Sequence, residues 1–182
     1  MRCQIISNGL DSPGGERQAS PRVQILERDY SVEEAQMFKN ILIPTDGSEQ
    51  SQRAVQYGID IARLHGSRIT GIHVIPDYHL LIAYEGAFDP VTEERIEEEA
   101  KVRADSYLAF VRSSAGDAGV ACDTVCETSD HPYDAILKAA ETRRCDLIVM
   151  TSHGRKGLAA VLLGSETRKV LTHAKIPVLI VR

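Results

Sequence analysis

Residues 145–182 read CDLIVMTSHGRKGLAAVLLGSETRKVLTHAKIPVLIVR, and this stretch decides the fold class. It opens with an apolar run at 145–152, passes through a loop containing glycine and basic residues, and continues with a helix-like pattern at 165–173. A second apolar run, 176–182, follows that helix. Strands that are apolar throughout are typical of a parallel sheet covered on both faces, so the pattern predicts a strand–helix–strand unit of such a sheet.

The same alternation extends upstream to residue 38. Ser48 is the predicted N-cap of the first helix, Gly66 ends it, and Asp130 with Pro132 opens the third helix. Five strands that alternate with helices predict an α/β fold, a doubly wound parallel sheet with helices on both faces. Ligands of such sheets bind beyond the carboxyl ends of the strands, where the strand order reverses. The other predicted strands are 38–46, 67–75 and 119–128.

The first 36 residues differ from the rest of the chain. They contain clusters of Ser, Pro, Gly and Asn and show no sustained hydrophobic period. This composition predicts a flexible N-terminal extension, residues 1–36, before a single domain at 37–182. Met37 directly precedes the first predicted strand, so an equally good interpretation is that the protein begins there and the upstream segment is not native.

Composition and charge exclude several classes of function. The chain has 182 residues, of which 43% are hydrophobic and 26% charged, as in a globular domain. A net charge of −5 argues against nucleic acid or an anionic membrane as the main partner. No run approaches the roughly 20 apolar residues of a membrane helix, and no signal-peptide pattern occurs. Four cysteines without a disulfide-rich pattern indicate reduced thiols and a cytoplasmic protein.

Two strand ends carry polar residues suited to a ligand site. The first strand ends in the sequence PTDGS, at 44–48, and the fourth in TSHG, at 151–154. If the strand order reverses between these two strands, both loops border one crevice. There Asp46 could accept hydrogen bonds from sugar hydroxyls or an exocyclic amine, and it could equally cap the first helix.

The loop after the fourth strand has the features of a phosphate-binding site. Gly154 permits close backbone approach, and Gly164-Ser165 begins a helix whose N-terminal N–H groups favour an anion. An ordinary strand-to-helix connection with Ser165 as N-cap remains an equal alternative, because no G-x-x-x-x-G-K-[ST] or post-strand G-x-G-x-x-G sequence occurs. The side chains that could add hydroxyl donors or positive charge are Ser165, Thr167, Arg155 and Lys156.

Residues 38–182 resemble a universal stress protein domain. The family pattern G-x2-G-x9-G-[ST] is matched by Thr151-x2-Gly154-x9-Gly164-Ser165, with three of its four marked positions kept. The PTDGS sequence, the pair His73-Val74 and the closing IPVLIVR also resemble the family. The resemblance implies strand order 3-2-1-4-5 and ATP, or AMP or ADP, bound at the reversal. Mg²⁺ could accompany the nucleotide, held by phosphate oxygens and water.

The resemblance also implies roles for individual residues. Pro44, Thr45 and Asp46 would lie against the adenosine, and Val74 and Met150 would touch the adenine. The phosphates would contact Gly154, Gly164, Ser165 and Thr167, and the candidate set is completed by Thr151, His153, Arg155 and Glu166. His153 could contact phosphate or fix the turn, and His73 is expected at the edge of the site. Family members pair through the last strand, which implies an antiparallel homodimer formed by Val178, Leu179, Ile180 and Val181.

Two residues depart from the pattern of nucleotide-binding members. Thr151 replaces the first glycine of the pattern, and Glu166 stands where many members have an apolar residue, so its carboxylate would repel a phosphate unless it points away. Three functions follow. The first is an ATP-binding stress or signalling protein that acts through its nucleotide state rather than as a dedicated enzyme. The others are a nucleotide-free dimeric adaptor and a slow ATPase or autophosphorylating protein with Ser165 or Thr167 as acceptor.

Overall fold

Nine secondary-structure elements are defined in the computed structural model, which describes residues 36–77, 90–152 and 163–182. The predicted extension at 1–36 lies outside these residues except for Gln36, so the domain boundary stays a prediction. The helices are α1 (Glu49–His65), α2 (Pro90–Asp117), α3 (Pro132–Thr142) and α4 (Ser165–His173). The strands are β1 (Asn40–Pro44), β2 (Arg68–Ile75), β3 (Cys122–Thr128), β4 (Leu147–Thr151) and β5 (Val178–Val181).

The five strands form one parallel sheet in the order β3-β2-β1-β4-β5. This order confirms the predicted doubly wound topology. Its reversal lies between β1 and β4, since the chain adds strands first toward β3 and then toward β5. The carboxyl ends of β1 and β4 therefore border the same crevice, as the sequence predicted.

Helices cover both faces of the sheet. The side chains of Ile41 and Ile43 in β1 pack with α1 and α2 on one face, whereas Leu42 between them packs with α3 and α4 on the other. All three are fully buried. A strand buried on both faces needs apolar residues at every position, which explains why β1 reads as a continuous apolar run.

Strand β1 ends earlier than the strands on either side because of Pro44. The carbonyl of Asn40 accepts from the N–H of Asp146, just before β4, whereas the N–H of Thr45 donates to the carbonyl of Ile72 in β2, so alternate residues of β1 face opposite neighbours. Pro44 faces β4 and has no N–H to donate, so it cannot continue the ladder on that side. Strand β2 runs on to Ile75 and β4 to Thr151, which leaves a notch at the carboxyl edge.

The helix termini agree with the predictions at α1 and differ at α3. Ser48 is the N-cap of α1 and its hydroxyl accepts from the N–H of Ser51 at 3.2 Å, while Gly66 ends the helix with φ of 66°. At α3 the N-cap is His131, and Pro132 is the first helical residue. The prediction that Asp130 and Pro132 open this helix is confirmed for Pro132 and wrong for Asp130, whose carboxylate accepts from the N–H of Asp77 at 3.1 Å. Within the described ranges, no helix is long and apolar enough to cross a membrane.

Candidate functional site

The turn that follows β1 is held by Thr45. Its N–H donates to the carbonyl of Ile72 at 2.9 Å, which adds one more rung between this chain segment and β2. Its hydroxyl oxygen accepts from the N–H of Gly47 at 3.2 Å and lies 3.1 Å from Oγ of Ser51. Thr45 is only 6% exposed, so these bonds are shielded from water. The first residue after the strand is thereby fixed to both β2 and α1.

Asp46 supports the cap of α1 and also lines a cleft. Its Oδ1 accepts from the N–H of Ser48 at 3.0 Å and from the Ser48 hydroxyl at 2.6 Å. Ser48, not Asp46, is the residue whose side chain caps the helix. The helix-capping role considered for Asp46 is therefore wrong, and its carboxylate instead holds the cap residue while Asp46 borders the cleft.

The end of β2 directs main-chain groups toward the notch. The carbonyl of Ile72 accepts from Thr45 after β1, whereas the carbonyl of Ile75 accepts from Ser129 after β3. Backbone groups of a strand alternate between its two neighbours, so the N–H and C=O of Val74 point to the β1 side. Because β1 has ended at Pro44, they face the crevice rather than a regular strand partner.

The two ends of the glycine-containing motif are brought together. The N–H of Gly164 donates to the carbonyl of Ser152 at 2.7 Å, and the hydroxyl of Thr167 donates to the carbonyl of Thr151 at 2.9 Å. The first turn of α4 is thus bonded directly to the end of β4. Thr167 is 4% exposed and its hydroxyl hydrogen is used inside the protein, so its predicted phosphate contact stays a prediction.

The N-terminus of α4 presents backbone donors at the carboxyl edge. Gly164 is the N-cap and has no side chain to bond the first turn. The first N–H groups of a helix have no acceptor within it, so those of residues 165–167 are suited to an anion. Ser165 is exposed and offers a hydroxyl at the same place. Backbone donors, a hydroxyl and a glycine without a Cβ form an arrangement that phosphate fits.

The carboxylate of Glu166 points away from this N-terminus. Its Oε2 accepts from the N–H of Tyr133 at 3.0 Å, in the first turn of α3. Its Oε1 accepts from Nζ of Lys169 at 2.8 Å, and that ammonium also lies 5.1 Å from the centre of the Tyr133 ring. The charge that departs from the family pattern is therefore neutralised by the neighbouring helix and by a lysine.

The side chain of Thr151 also points away from the N-terminus of α4. Val149 packs on the face of α1, and Met150, 6% exposed, packs with Val170 of α4. Side chains alternate along a strand, so Thr151 shares the face of Val149. The β-branched group that replaces glycine thus stands on the sheet face opposite α4 and its N-terminus.

A cleft of about 230 Å³ lies beside Asp46 at the end of β2. Helix α2 contributes one of its sides, which the sequence did not predict. Ala100, Arg103 and Tyr107 recur at helical spacing, and that spacing could have placed them on one face. Nothing in the sequence shows that this face reaches the crevice. The lining residues are Asp46, His73, Val74, Ile75, Pro76, Ala100, Arg103 and Tyr107.

Three predicted site residues, His153, Gly154 and Arg155, lie outside the described residues. The other ten are placed at the carboxyl edge of the sheet, by the ends of β1, β2 and β4 and the start of α4. His73, expected at the edge of the site, lines the cleft. Among the residues that the structure describes, no three His, Cys, Asp or Glu side chains group as a metal site.

Three cysteine thiols have displaced pKa values. Burial raises the pKa of Cys145 to about 11, against an ordinary value of 9.0. Burial also raises the pKa of Cys122 and Cys126, with Asp123 adding to the first and Asp105 to the second. All three thiols are free, and raised pKa values make them poor nucleophiles at neutral pH.

Known proteins are similar to this chain in sequence and in fold. The model of the universal stress protein family matches residues 37–182. A universal stress protein of Thermus aquaticus is 34% identical over 149 residues, covering 80% of this chain and 100% of that one. The structure of MJ0577 from Methanocaldococcus jannaschii has a TM-score of 0.64 at 30% identity, covering 80% of this chain and 96% of that chain.

A more distant structure shares the fold alone. The universal stress protein of Archaeoglobus fulgidus, solved in complex with dAMP, has a TM-score of 0.59 and 20% identity. The alignment covers 79% of this chain and 98% of that chain. The family model spans the whole described domain, and the Thermus relative is matched over its full length. The chain therefore belongs to the universal stress protein family.

Proposed function

We propose that this chain binds an adenine nucleotide in the crevice between the ends of β1 and β4 and acts in a stress response or in signalling through its nucleotide state. The observation that carries the proposal is the notch left where β1 ends at Pro44. It places the main chain of Val74 on one side and the N-terminus of α4 on the other. A ligand with a base at one end and an anion at the other matches this arrangement.

The base end is suited to adenine. The N–H of Val74 can donate to N1 of adenine, and its C=O can accept from the 6-amino group. Guanine presents an acceptor at position 6 where adenine has a donor, so the same groups would meet an unmatched partner. An unmatched buried polar group costs about 1–3 kcal/mol, which corresponds to roughly tenfold weaker binding or more.

The phosphate end is suited to the N-terminus of α4. The backbone N–H groups of residues 165–167 and the Ser165 hydroxyl point to one place, next to the end of β4. The proposal also includes the predicted contacts of Gly154, His153 and Arg155, which lie in the connecting loop. Mg²⁺ would then be held mainly by phosphate oxygens and water.

The nucleotide-free adaptor was suggested by Thr151 and Glu166. The Thr151 side chain stands on the sheet face away from α4, and the Glu166 carboxylate bonds to α3 and Lys169. Neither group lies over the backbone donors that a phosphate would use. This placement supports nucleotide binding over the adaptor. Proteins of the same fold have been solved in complex with dAMP, cAMP or AMP, which makes adenine nucleotides the first ligands to test.

Calorimetry with ATP, AMP and GTP tests the proposal directly. We expect both adenine nucleotides to bind and GTP to bind at least about tenfold more weakly, because of the main-chain pattern at Val74. Mass spectrometry of the purified protein should also detect a retained adenine nucleotide. If neither ATP nor AMP binds at millimolar concentration, the chain is not a nucleotide-binding protein and the adaptor becomes the better interpretation.

A charge-introducing variant tests the phosphate end. Ser165→Asp places a carboxylate at the start of α4, where the helix dipole tolerates it but a phosphate would be repelled. We expect nucleotide affinity to fall by at least about tenfold, with an unchanged or slightly raised melting temperature. The matched control is Ser113→Asp on the exposed side of α2, which adds the same charge far from the crevice. Equal nucleotide affinities in the two variants would mean that the phosphates do not bind at the start of α4.

A further inference from the structure

The carbonyl of Thr45 is bonded by a side chain where the chain leaves the sheet. Thr45 still donates its N–H to Ile72 of β2, as a strand residue would. Its carbonyl lies 2.7 Å from Nδ1 of His73, one residue further along β2. A carbonyl oxygen can only accept a hydrogen bond, so Nδ1 of this histidine carries a hydrogen and donates it. The imidazole thus extends the pairing between this segment and β2 beyond the last regular rung.

Tyr107 of α2 packs on the histidine and on the turn. The two rings meet edge to face, with centroids 5.2 Å apart and an interplanar angle of 75°. The same tyrosine covers Gly47, since a Cβ there would lie 2.3 Å from two carbons of its ring. Gly47 also has a φ of +77°, which favours glycine. The turn after β1 is therefore enclosed between β2 and α2.

These contacts bear on the orientation of Asp46. The Thr45 carbonyl belongs to the peptide that joins Thr45 to Asp46, so a bond to that oxygen fixes the plane from which Asp46 extends. The carboxylate is fixed from the other side by Ser48. His73, Tyr107 and Asp46 all line the same cleft beside Val74. The histidine therefore couples the residue that faces the ribose or base to the strand whose main chain reads the base.

We propose that His73 is a positioning residue of the nucleotide crevice, whose Nδ1–H holds the Thr45 carbonyl while Tyr107 supports its ring. The inference rests on the proposed function, because the consequence of positioning Asp46 is nucleotide affinity. It adds a role for a side chain that need not touch the ligand. It also has a consequence in the ligand-free protein, where the amides of Gly47 and Ser48 should be protected by the ordered turn.

Three substitutions of His73 separate hydrogen bonding from packing. The amide nitrogen of asparagine lies as many bonds from the backbone as Nδ1 does, whereas that of glutamine corresponds to Nε2. His73→Asn should therefore restore binding to within about threefold of the wild-type affinity, while His73→Gln and His73→Leu lose roughly tenfold, the loss expected for one hydrogen bond. The nucleotide used is AMP, measured by calorimetry at one salt concentration.

Amide exchange in the nucleotide-free protein provides the second readout. Exchange at Gly47 and Ser48 should accelerate in His73→Leu and His73→Gln and return toward wild type in His73→Asn, with Ala139 of α3 unchanged in all three. Long-range ¹H–¹⁵N spectra should show a protonated Nδ1 on His73. If the wild-type protein does not bind AMP, the proposed function is rejected, and the exchange pattern still tests the positioning role.

Two results would overturn the positioning role. One is unchanged exchange at Gly47 and Ser48 in His73→Leu together with unchanged AMP affinity. The other is an asparagine variant that behaves like the leucine variant, since the Nδ1 donor would then not be the group that matters. If His73→Leu fails to fold, the comparison of His73→Asn with His73→Gln decides, because both replacements are polar and differ in the placement of the amide.

Discussion

Glu166 belongs to α4 in sequence and stabilises α3 in the fold. The N-cap of helix α3, His131, makes no side-chain capping bond, and the N–H of Tyr133 donates to the Glu166 carboxylate. An acidic group at a helix N-terminus satisfies an N–H and complements the dipole. This residue therefore acts as a cap supplied by a neighbouring helix. It also explains how a carboxylate can follow Ser165 without occupying the phosphate position.

Replacing Glu166 should change stability more than ligand binding. We expect Glu166→Ala to lower the free energy of unfolding by about 1 kcal/mol, as for a lost helix cap, and Glu166→Gln to lower it less because an acceptor oxygen remains. Urea unfolding measures both values. AMP affinity should stay within about threefold of wild type, a difference of less than 1 kcal/mol. A gain of tenfold or more in Glu166→Val would show that the carboxylate does oppose the phosphates.

The thiol of Cys145 gives a second prediction at the scale of one residue. Burial raises its pKa to about 11 in the folded protein, against an ordinary value of 9.0. The neutral thiol is therefore favoured by folding, and its contribution is complete below about pH 9. As the pH rises from about 9 to 11 the unfolded chain releases the proton first, so stability falls by up to about 1.4 kcal/mol per pH unit.

The comparison of wild type with Cys145→Ala isolates this effect. Both proteins are unfolded in urea at several pH values between about 8 and 10.5. The variant should be less stable at pH 8 because it loses buried side-chain volume, and the difference should narrow as the pH rises. A difference in stability that is constant across this pH range would mean that the Cys145 thiol has the same pKa in the folded and unfolded states.

Single residues were the hardest to predict from the sequence. Ser48 and Gly66 were identified because capping and helix termination depend on local residue type. Asp130 was misplaced by one position, and its carboxylate accepts a hydrogen bond from the N–H of Asp77, 53 residues away in the chain. The partner of Glu166 is similarly distant. Side-chain contacts between separate elements depend on packing that no local pattern contains.

At the scale of elements, α1 lies unusually close to β1 through a glycine. A Cβ on Gly58 would lie 2.4 Å from Cδ1 of Ile43 and 3.2 Å from its Cγ1. Ile43 is fully buried, so its side chain has little room to move. The glycine thus sets the distance between the helix and the centre of the sheet.

A double-mutant cycle tests this packing. Gly58→Ala should destabilise the protein by up to about 2 kcal/mol, because an overpacking cost of about 1–3 kcal/mol is offset by the roughly 1 kcal/mol that alanine gains over glycine in a helix. Ile43→Val removes the methyl group in the way and should cost about 0.5–1.5 kcal/mol alone. In the Ile43→Val background, Gly58→Ala should be neutral or stabilising. The same loss in both backgrounds would mean that the two residues do not compete for space.

Elements were predicted well because their patterns are local. Runs rich in Ile, Leu and Val identified β1, β2, β4 and β5, and the helical period placed Ala100, Ala104, Leu108 and Val111 on the buried side of α2. The approach of α2 to the crevice was missed, because it depends on how the helix lies on β2 and β3. The candidate site could be outlined from the sequence because the carboxyl ends of parallel strands meet at one edge of the sheet.

At the scale of the whole molecule, the two edges of the sheet differ. Strand β3 carries Asp123 and Glu127, charges that discourage pairing with another strand. Strand β5 reads VLIV and has no charge within it. Bonds from Ile148 to Pro177 and from Ser152 to Val181 assign the odd-numbered residues of β5 to β4. The backbone groups of Val178 and Ile180 therefore point outward, and we propose that they pair with a second copy.

This homodimer can be tested by analytical ultracentrifugation. We expect the wild-type protein to sediment as a dimer and Leu179→Asp to sediment as a monomer, because the leucine is 39% exposed on β5 and a carboxylate there would be desolvated on pairing. Val102→Asp on α2 is the matched control, since Val102 is 60% exposed and its helix packs on the other end of the sheet. A dimer in both variants would place the interface elsewhere.

The early end of β1 has a consequence for divergence within the family. Under the proposed function, the base is read by the main chain of Val74, which no substitution can delete as long as Pro44 ends the strand and the register holds. The phosphates use the Ser165 side chain as well as backbone N–H groups, and a side chain can be substituted. Lineages should therefore keep the same base while the length and charge of the bound phosphate chain diverge. Differences in ligand preference within the family would then arise at the phosphate end of the crevice and not at the base end.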